Sequence, residues 1–351
     1  MTNTVKAAEP SFDPDTGYVL NGSQKCFFAN GNELSITARD DGQNGATIFW
    51  ADGTKHVDVP SDVNVFGGGH ADTTTYENTK ITMNGGTVKN IFGGGLHESY
   101  VTASEVIVNN GTVTGSIVGG GANVLAGSDN CVPASASASS SPTRVVNAIV
   151  SVNNGSSNNV YGGGEGISYT GNAKININGG TFQYVTAGGS NGYTGNTEVE
   201  ITSGQINVLQ SVNRGEVVSS IVEVLGGTIQ NLYVGGENAA DVTGTIESVS
   251  LDIAGGSVVQ NLYMGTSGGQ IITANSPTRV DVDIYLGATV NIADASEFDG
   301  ISVTQYVLVT INDVDYELEN GKTLADLAEL PAIKNVEGKD FVKFVIKDTE
   351  E

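Results

Sequence analysis

The chain is short of cations. Against 39 aspartates and glutamates it sets 15 lysines and arginines, for a net charge of −24. A surface that acidic repels phosphate backbones, which excludes nucleic-acid binding as the main task. Cysteine occurs twice, as Cys26 and Cys131, far apart and in dissimilar surroundings, so two free thiols are expected rather than a disulfide or a metal pair. No 18 apolar residues run together, and Met1–Phe12 lacks the apolar core of a secretion signal. No membrane insertion is expected, and the chain is expected to stay in the cytoplasm that made it unless carried out as part of something larger. Proline is limited to 7 positions and no G-X-Y period exists, which excludes collagen-like and proline-rich linker chains.

Glycine, by contrast, fills 48 of 351 positions, about twice the usual ~7%, and it is periodic. Ile81–Gly95 (ITMNGGTVKNIFGGG), Val106–Gly121 (VIVNNGTVTGSIVGGG), Val150–Gly164 and Ile175–Gly189 are copies of one unit, and the pattern continues in Val199–Val212, Val222–Gly236 and Leu251–Gly265. Anchoring on Gly86, Gly111, Gly155, Gly180, Gly204, Gly227 and Gly256 gives intervals of 25, 44, 25, 24, 23 and 29. The 44 is one period plus a Ser/Ala-rich insertion over 122–147.

A period near 24 with two alternating strands and glycine corners predicts an all-β fold, a parallel β-helix, expected right-handed, with one coil per repeat. About nine coils at ~4.8 Å each make a rod of roughly 40–45 Å. Ile81, Met83, Val106, Val108, Ile175, Ile177, Val199, Ile201, Val222, Val224, Leu251 and Ile253 fall on the inward positions of the first strand. Val88, Val113, Phe182, Ile206, Ile229 and Val258 open the second. The triple glycines, such as Gly67–Gly69 and Gly93–Gly95, mark one stacked corner, where a positive φ or a close backbone approach disfavours a Cβ. No lysine follows them and no helix starts there, so they are no phosphate loop. Three regions result. Residues 1–57 form a β-rich cap or attachment segment, 58–300 the solenoid, and 301–351 a small α/β unit with a hairpin, a helix over Leu324–Leu330 and a last strand at Phe341–Ile346.

Stacked coils turn function into columns. Outward on the first strand run Thr82, Ile107, Ser151, Asn176, Glu200, Glu223 and Asp252. The last three are carboxylates in consecutive coils, which suits a solvated acidic face or a weak Ca²⁺ site; Asp281 or Asp283 follows. After the triple-glycine corner come His70, Leu96, Ala122, Glu165, Ser190, Arg214, Glu237 and Ser267, where Arg214 and Glu237 are placed to pair. A third column holds Phe66, Phe92, Val118, Tyr161, Thr186, Gln210, Tyr233 and Tyr263. Alternation points it outward, where Phe66, Phe92, Tyr161, Tyr233 and Tyr263 would serve a subunit interface or sugar faces, or else pack under a local loop. Asn90, Asn159, Asn231 and Asn261 form a ladder of structural amides. His56, His70 and His97 show no metal spacing; His70 and His97, which could lie near each other on successive coils, are expected exposed. With few arginines, and with Arg214 away from the acidic column, no active site and no cofactor are expected.

The strings NGGTVKNIFGGG and LGGTIQNLYVGG resemble GGTxxxxYGGG repeats in surface proteins of gut bacteria and in structural proteins of their phages, over about residues 58–295. The stretch ENGKTLADLAELPAIKNVEGKDFVKF is similar to the β-grasp repeat of Listeria–Bacteroides surface proteins, with Lys343-Phe344 where that family has Gly-Trp. The resemblance implies a non-enzymatic virion component, a head fibre, tail fibre or capsid-decoration protein. It would be assembled in the host cytoplasm as a homotrimer, held to other virion proteins through one end and engaging host glycans. A bacterial cell-surface adhesin is the alternative in the same class, and a β-helix polysaccharide lyase or hydrolase the alternative among enzymes.

Overall fold

A computed structural model describes residues 25–70, 74–123, 142–235 and 245–262 without 255; outside these ranges it places strand backbone only. The described chain is a β-solenoid. Each coil has a long first strand and a shorter second strand, and the two kinds of strand build two separate parallel sheets. First strands include Thr75–Met83, Tyr100–Val108, Thr143–Val152, Ser168–Ile177, Tyr193–Ile201, Glu216–Val224 and Thr245–Ile253. Six turns follow one another between Thr75 and Gly236, with strands continuing both sheets on either side; the expected nine exceeds this best-described stretch.

The register is the one the period implies. Val108 pairs with Val152, Val152 with Ile177, Ile177 with Ile201 and Ile201 with Val224. These residues and the facing Val88, Ile91, Ile117, Val185 and Leu209 are buried in one continuous core between the sheets. Apolar side chains every second residue on both walls leave no room for water between them, so each added coil buries its inner row against the last. One expected row member is displaced. Val259, not Val258, pairs with Ile229 and is buried, because Ser257 adds one residue after the corner and turns its hydroxyl to Val224 O, 2.8 Å away.

The two glycine corners work differently. Positive φ belongs to the corner between the strands, at Gly86 (87°), Gly111 (118°), Gly180 (102°) and their equivalents. The triple-glycine corner instead needs close approach: a Cβ on Gly93 would lie 2.5 Å from Gly119 O, and one on Gly119 2.5 Å from Gly162 O. Small residues stack beside it, and Thr79 and Ser104 donate hydroxyls to Gly93 O and Gly119 O, both at 2.6 Å.

At the N-terminal end, Leu34–Thr37 pairs in parallel with Thr75–Met83 and antiparallel with Gly45–Trp50, which pairs antiparallel with Lys55–Pro60. Gln24–Phe28 lies parallel to Val63–Phe66 in the other sheet. Tyr18–Asn21 in turn pairs antiparallel with Gln24–Phe28, so both sheets close their parallel stack with antiparallel strands at this end, as a cap requires. At the other end, Phe341–Asp348 pairs antiparallel with Arg279–Tyr285 and with Gln305–Ile311, so the last strands extend the first-strand sheet. Leu324–Leu330, where a helix is expected, and the 122–147 insertion beyond Asn123 up to 141 lie outside the described residues.

The free-thiol expectation is corrected for Cys26, which is disulfide-bonded; no free cysteine is present among the described residues. The only other cysteine in the sequence is Cys131, outside the described residues. The strand Gln24–Phe28 turns Phe27 into the main core and Cys26 and Phe28 to its other side, where Cys26 is fully buried among Phe66, Leu96 and Ala122. A residue at position 26 thereby reaches the same side of the coils as the root of the insertion, which sequence distance conceals.

Candidate functional site

The acidic column lies as expected. Glu200 pairs with Glu223, Glu223 with Asp252 and Asp252 with Asp283, which places Asp283 rather than Asp281 in it. The side chains that converge differ by one. Carboxylate oxygens of Glu198, Glu200 and Glu223 lie within 4.8 Å of one another, so Glu198 takes the third place expected of Asp252. Lys174 already supplies a cation: it forms an ion pair with Glu198, and this hydrogen bond, with Glu200 and Glu223 adding, holds its ammonium above the ordinary lysine range. These oxygens could hold a divalent cation only in competition with that lysine.

The column after the triple-glycine corner is real, with His70 bridged to Leu96, Leu96 to Ala122 and Ala122 to Glu165. Glu165 is half-buried, and desolvation raises its carboxyl above the usual range against a hydrogen bond from Ser116. Beside it Tyr161 is pushed up to about 12, first by burial and then by the Glu165 charge, while Arg214 pulls the other way. Arg214 itself is exposed. Glu237 and Ser267, and with Glu237 the expected pair to Arg214, lie outside the described residues.

The aromatic column stands in register but does not face solvent. Phe28, Phe66, Phe92, Val118 and Tyr161 stack coil on coil, yet Phe66 and Phe92 are fully buried and Tyr161 is 8% exposed. Leu96 and Ala122 of the return segments fold over them and close a second core. The subunit-interface and sugar-face reading of Phe66, Phe92 and Tyr161 is therefore corrected. In the next coils the column turns polar, and Gln210 donates to Thr186 Oγ1 at 3.0 Å. Tyr233 is half-buried; the Tyr263 side chain lies outside the described residues.

The histidines also turn out covered. His97 is 1% exposed and adopts φ 57°. The His70 and His97 rings meet edge-on with centroids 5.6 Å apart. Burial depresses both imidazoles, His70 to about 4 with the His97 charge adding. His56 packs on Trp50 at 4.3 Å.

Asparagine ladders are more extensive than expected. Asn90 donates to Asn64 Oδ1 (2.7 Å) and Asn261 to Asn231 Oδ1 (3.0 Å), while Asn159 reaches Ser116 Oγ. Two further ladders escaped the sequence reading: Asn84–Asn109–Asn153–Asn178, at 2.7–2.9 Å per link, and Asn147–Asn172–Asn196. The exposed aromatic column also lies elsewhere. Tyr100, Arg144, Tyr169 and Tyr193 share one register on the first-strand sheet. Tyr169 stacks on Tyr193 at 4.9 Å, with the Arg144 guanidinium 5.6 Å from the Tyr169 ring. Ring faces there are covered by one another.

An open groove of about 660 Å³ runs along the second-strand sheet. Thr112, Ser156, Thr181, Gln205 and Thr228 line one side, Thr114, Asn158, Gln183, Asn207, Gln230 and Gln260 the other, with Val113, Phe182 and Ile206 between them. It arises because the return segments cover only the half of the sheet that holds the aromatic column. Its signal in the sequence is the residue two before the inner aliphatic of the second strand, polar at Asn158, Gln183, Asn207, Gln230 and Gln260. No family model matches the chain, and neither a curated protein nor a solved structure matches it.

Proposed function

We propose that the chain is a non-enzymatic structural and adhesive rod that works outside the cytoplasm, as a fibre or decoration protein of a bacteriophage virion. The observation that carries this reading is the disulfide at Cys26. Structural disulfides persist on virions and cell surfaces and are rare in reducing cytosol; on a cytoplasmically assembled particle the bond would close after release. The unbroken register from Thr75 to Ile253 suits the mechanical part. Neighbouring coils share a ladder along every strand, so the rod is stiff along its axis and carries equal side chains at equal steps. Self-association as a trimer would use the first-strand face, where Val146, Ile149 and Ile221 are exposed, in place of the buried aromatic column.

The same disulfide favours a second reading, a cell-surface adhesin. Antibodies to the rod, applied to purified phage particles and to bacterial envelopes, separate the two. Labelled particles with Cys26 blocked to alkylation until reduction are the expected result. Protein confined to the cytosol with Cys26 freely alkylated would overturn both.

A further inference from the structure

We infer that the groove on the second-strand sheet binds an extended, uncharged polysaccharide lying along the rod axis. The groove crosses six coils, from Thr112 to Gln260, or about 24 Å at ~4.8 Å per coil. No charged side chain lines it, in a chain of net charge −24. An anionic polymer would be repelled by that charge and find no cation in the groove. The amides of Gln183, Gln205, Asn207, Gln230 and Gln260 make no side-chain hydrogen bond among the described residues. Those of Asn84, Asn109 and Asn153 on the other sheet are spent on one another.

Four consecutive rungs, those of Gln183, of Gln205 with Asn207, of Gln230 and of Gln260, thus offer free amide donors and acceptors, repeated at one spacing, whereas Asn158 already donates to Thr114 O. That suits a polymer of similar hydroxyl-bearing units rather than a peptide, which would pair its backbone with a sheet edge; both sheets carry their edges at the rod ends. The Phe182 and Ile206 side chains beneath the groove point into the core and are only 2% and 3% exposed, so contact with a bound chain falls to the rows of amides and hydroxyls. Sugar binding is thereby assigned to this face and not to the buried Phe66 column, and the assignment holds whether the rod stands on a particle or on a cell.

Affinity electrophoresis and calorimetry of the full chain, with neutral β-glucan, mannan and galactomannan chains and with anionic alginate and polygalacturonate, test this. At least one neutral chain is expected to bind, more tightly as it lengthens to about six units, one per coil, and with little response to salt. The double variant Gln183→Ala/Gln230→Ala should weaken binding about tenfold or more at unchanged melting temperature, whereas Asn172→Ala on the other sheet leaves it intact. The inference is overturned if no neutral chain binds, if anionic chains bind as well or better, or if the double variant binds normally. It is equally overturned if sedimentation shows a dimer that the double variant dissociates, because a second copy then fills the groove.

Discussion

Phe66 and Phe92 lie one coil apart with ring centroids 4.6 Å apart and planes within 6° of parallel, both sealed from water beneath the return segments. Removing one ring leaves a cavity that rigid neighbouring rungs cannot close. Phe92→Ala is expected to cost about 3–5 kcal/mol in denaturant unfolding and to leave the sedimentation coefficient of the folded protein unchanged. A small loss of stability with altered oligomerisation would restore these rings to an exposed interface.

Two glycines separate close approach from backbone strain. A Cβ on Gly93 meets the Gly119 carbonyl at 2.5 Å and Ser104 at 2.9 Å, whereas one on Gly53, at φ 82°, meets nothing within 4 Å. Gly53→Ala should cost about 1 kcal/mol, from left-handed strain. Gly93→Ala should cost more than about 2 kcal/mol, since two coils must part. Urea midpoints with unchanged slopes measure the difference; equal costs would contradict the stacked corner.

Acid should weaken the fold through the histidine pair. His70 is held at about 4, chiefly by burial and then by His97, and burial lowers His97 too, against its hydrogen bond with Asn123 and the charge of Glu98. An unfolded imidazole takes its proton near pH 6.5, so above that pH both states are neutral and the term is fully present. Between pH 6.5 and about 4 the unfolded chain binds a proton that the folded chain refuses, and stability falls as pH falls. The loss assigned to His70 is on the order of 2–3 kcal/mol. His70→Gln should flatten the stability profile in that window; an unchanged profile would place the histidines in water.

Reduction tests the covalent tie at Cys26. A thiol reductant or Cys26→Ser is expected to lower stability by about 2–4 kcal/mol while the far-ultraviolet strand signal persists at room temperature. Alkylation of Cys26 in the denatured, unreduced protein would contradict the bond.

The inner rows were legible in the sequence because they depend only on strand alternation and a fixed period: Ile81, Val106, Val150, Ile175 and Val199 are all fully buried. Register alone also located the Glu200–Glu223–Asp252 column. What alternation cannot reveal is which outward residues another part of the coil then covers. Phe92 alternates with Ile91 as an outward residue should, yet the return segment through Leu96 closes over it. Conversely, Gln183 and Gln230 look like ordinary surface amides until that cover stops short and leaves them in a groove. The Cys26 bond was hidden for a related reason, since the cap strand joins the sheet beside Val63–Phe66 and carries a distant residue to the side where the insertion begins.

The vertical register is tested most directly by cross-linking Glu200→Cys with Glu223→Cys, outward neighbours in adjacent coils. Adjacent parallel strands put their α-carbons ~4.8 Å apart, inside the roughly 4.4–6.8 Å a disulfide spans. Peptide mapping after mild oxidation should recover the 200–223 link in high yield, and almost none from Glu200→Cys with Val224→Cys, whose second thiol points into the core. Failure of the first pair, or equal yield from the second, would contradict the stacked coils on which the columns and the groove depend.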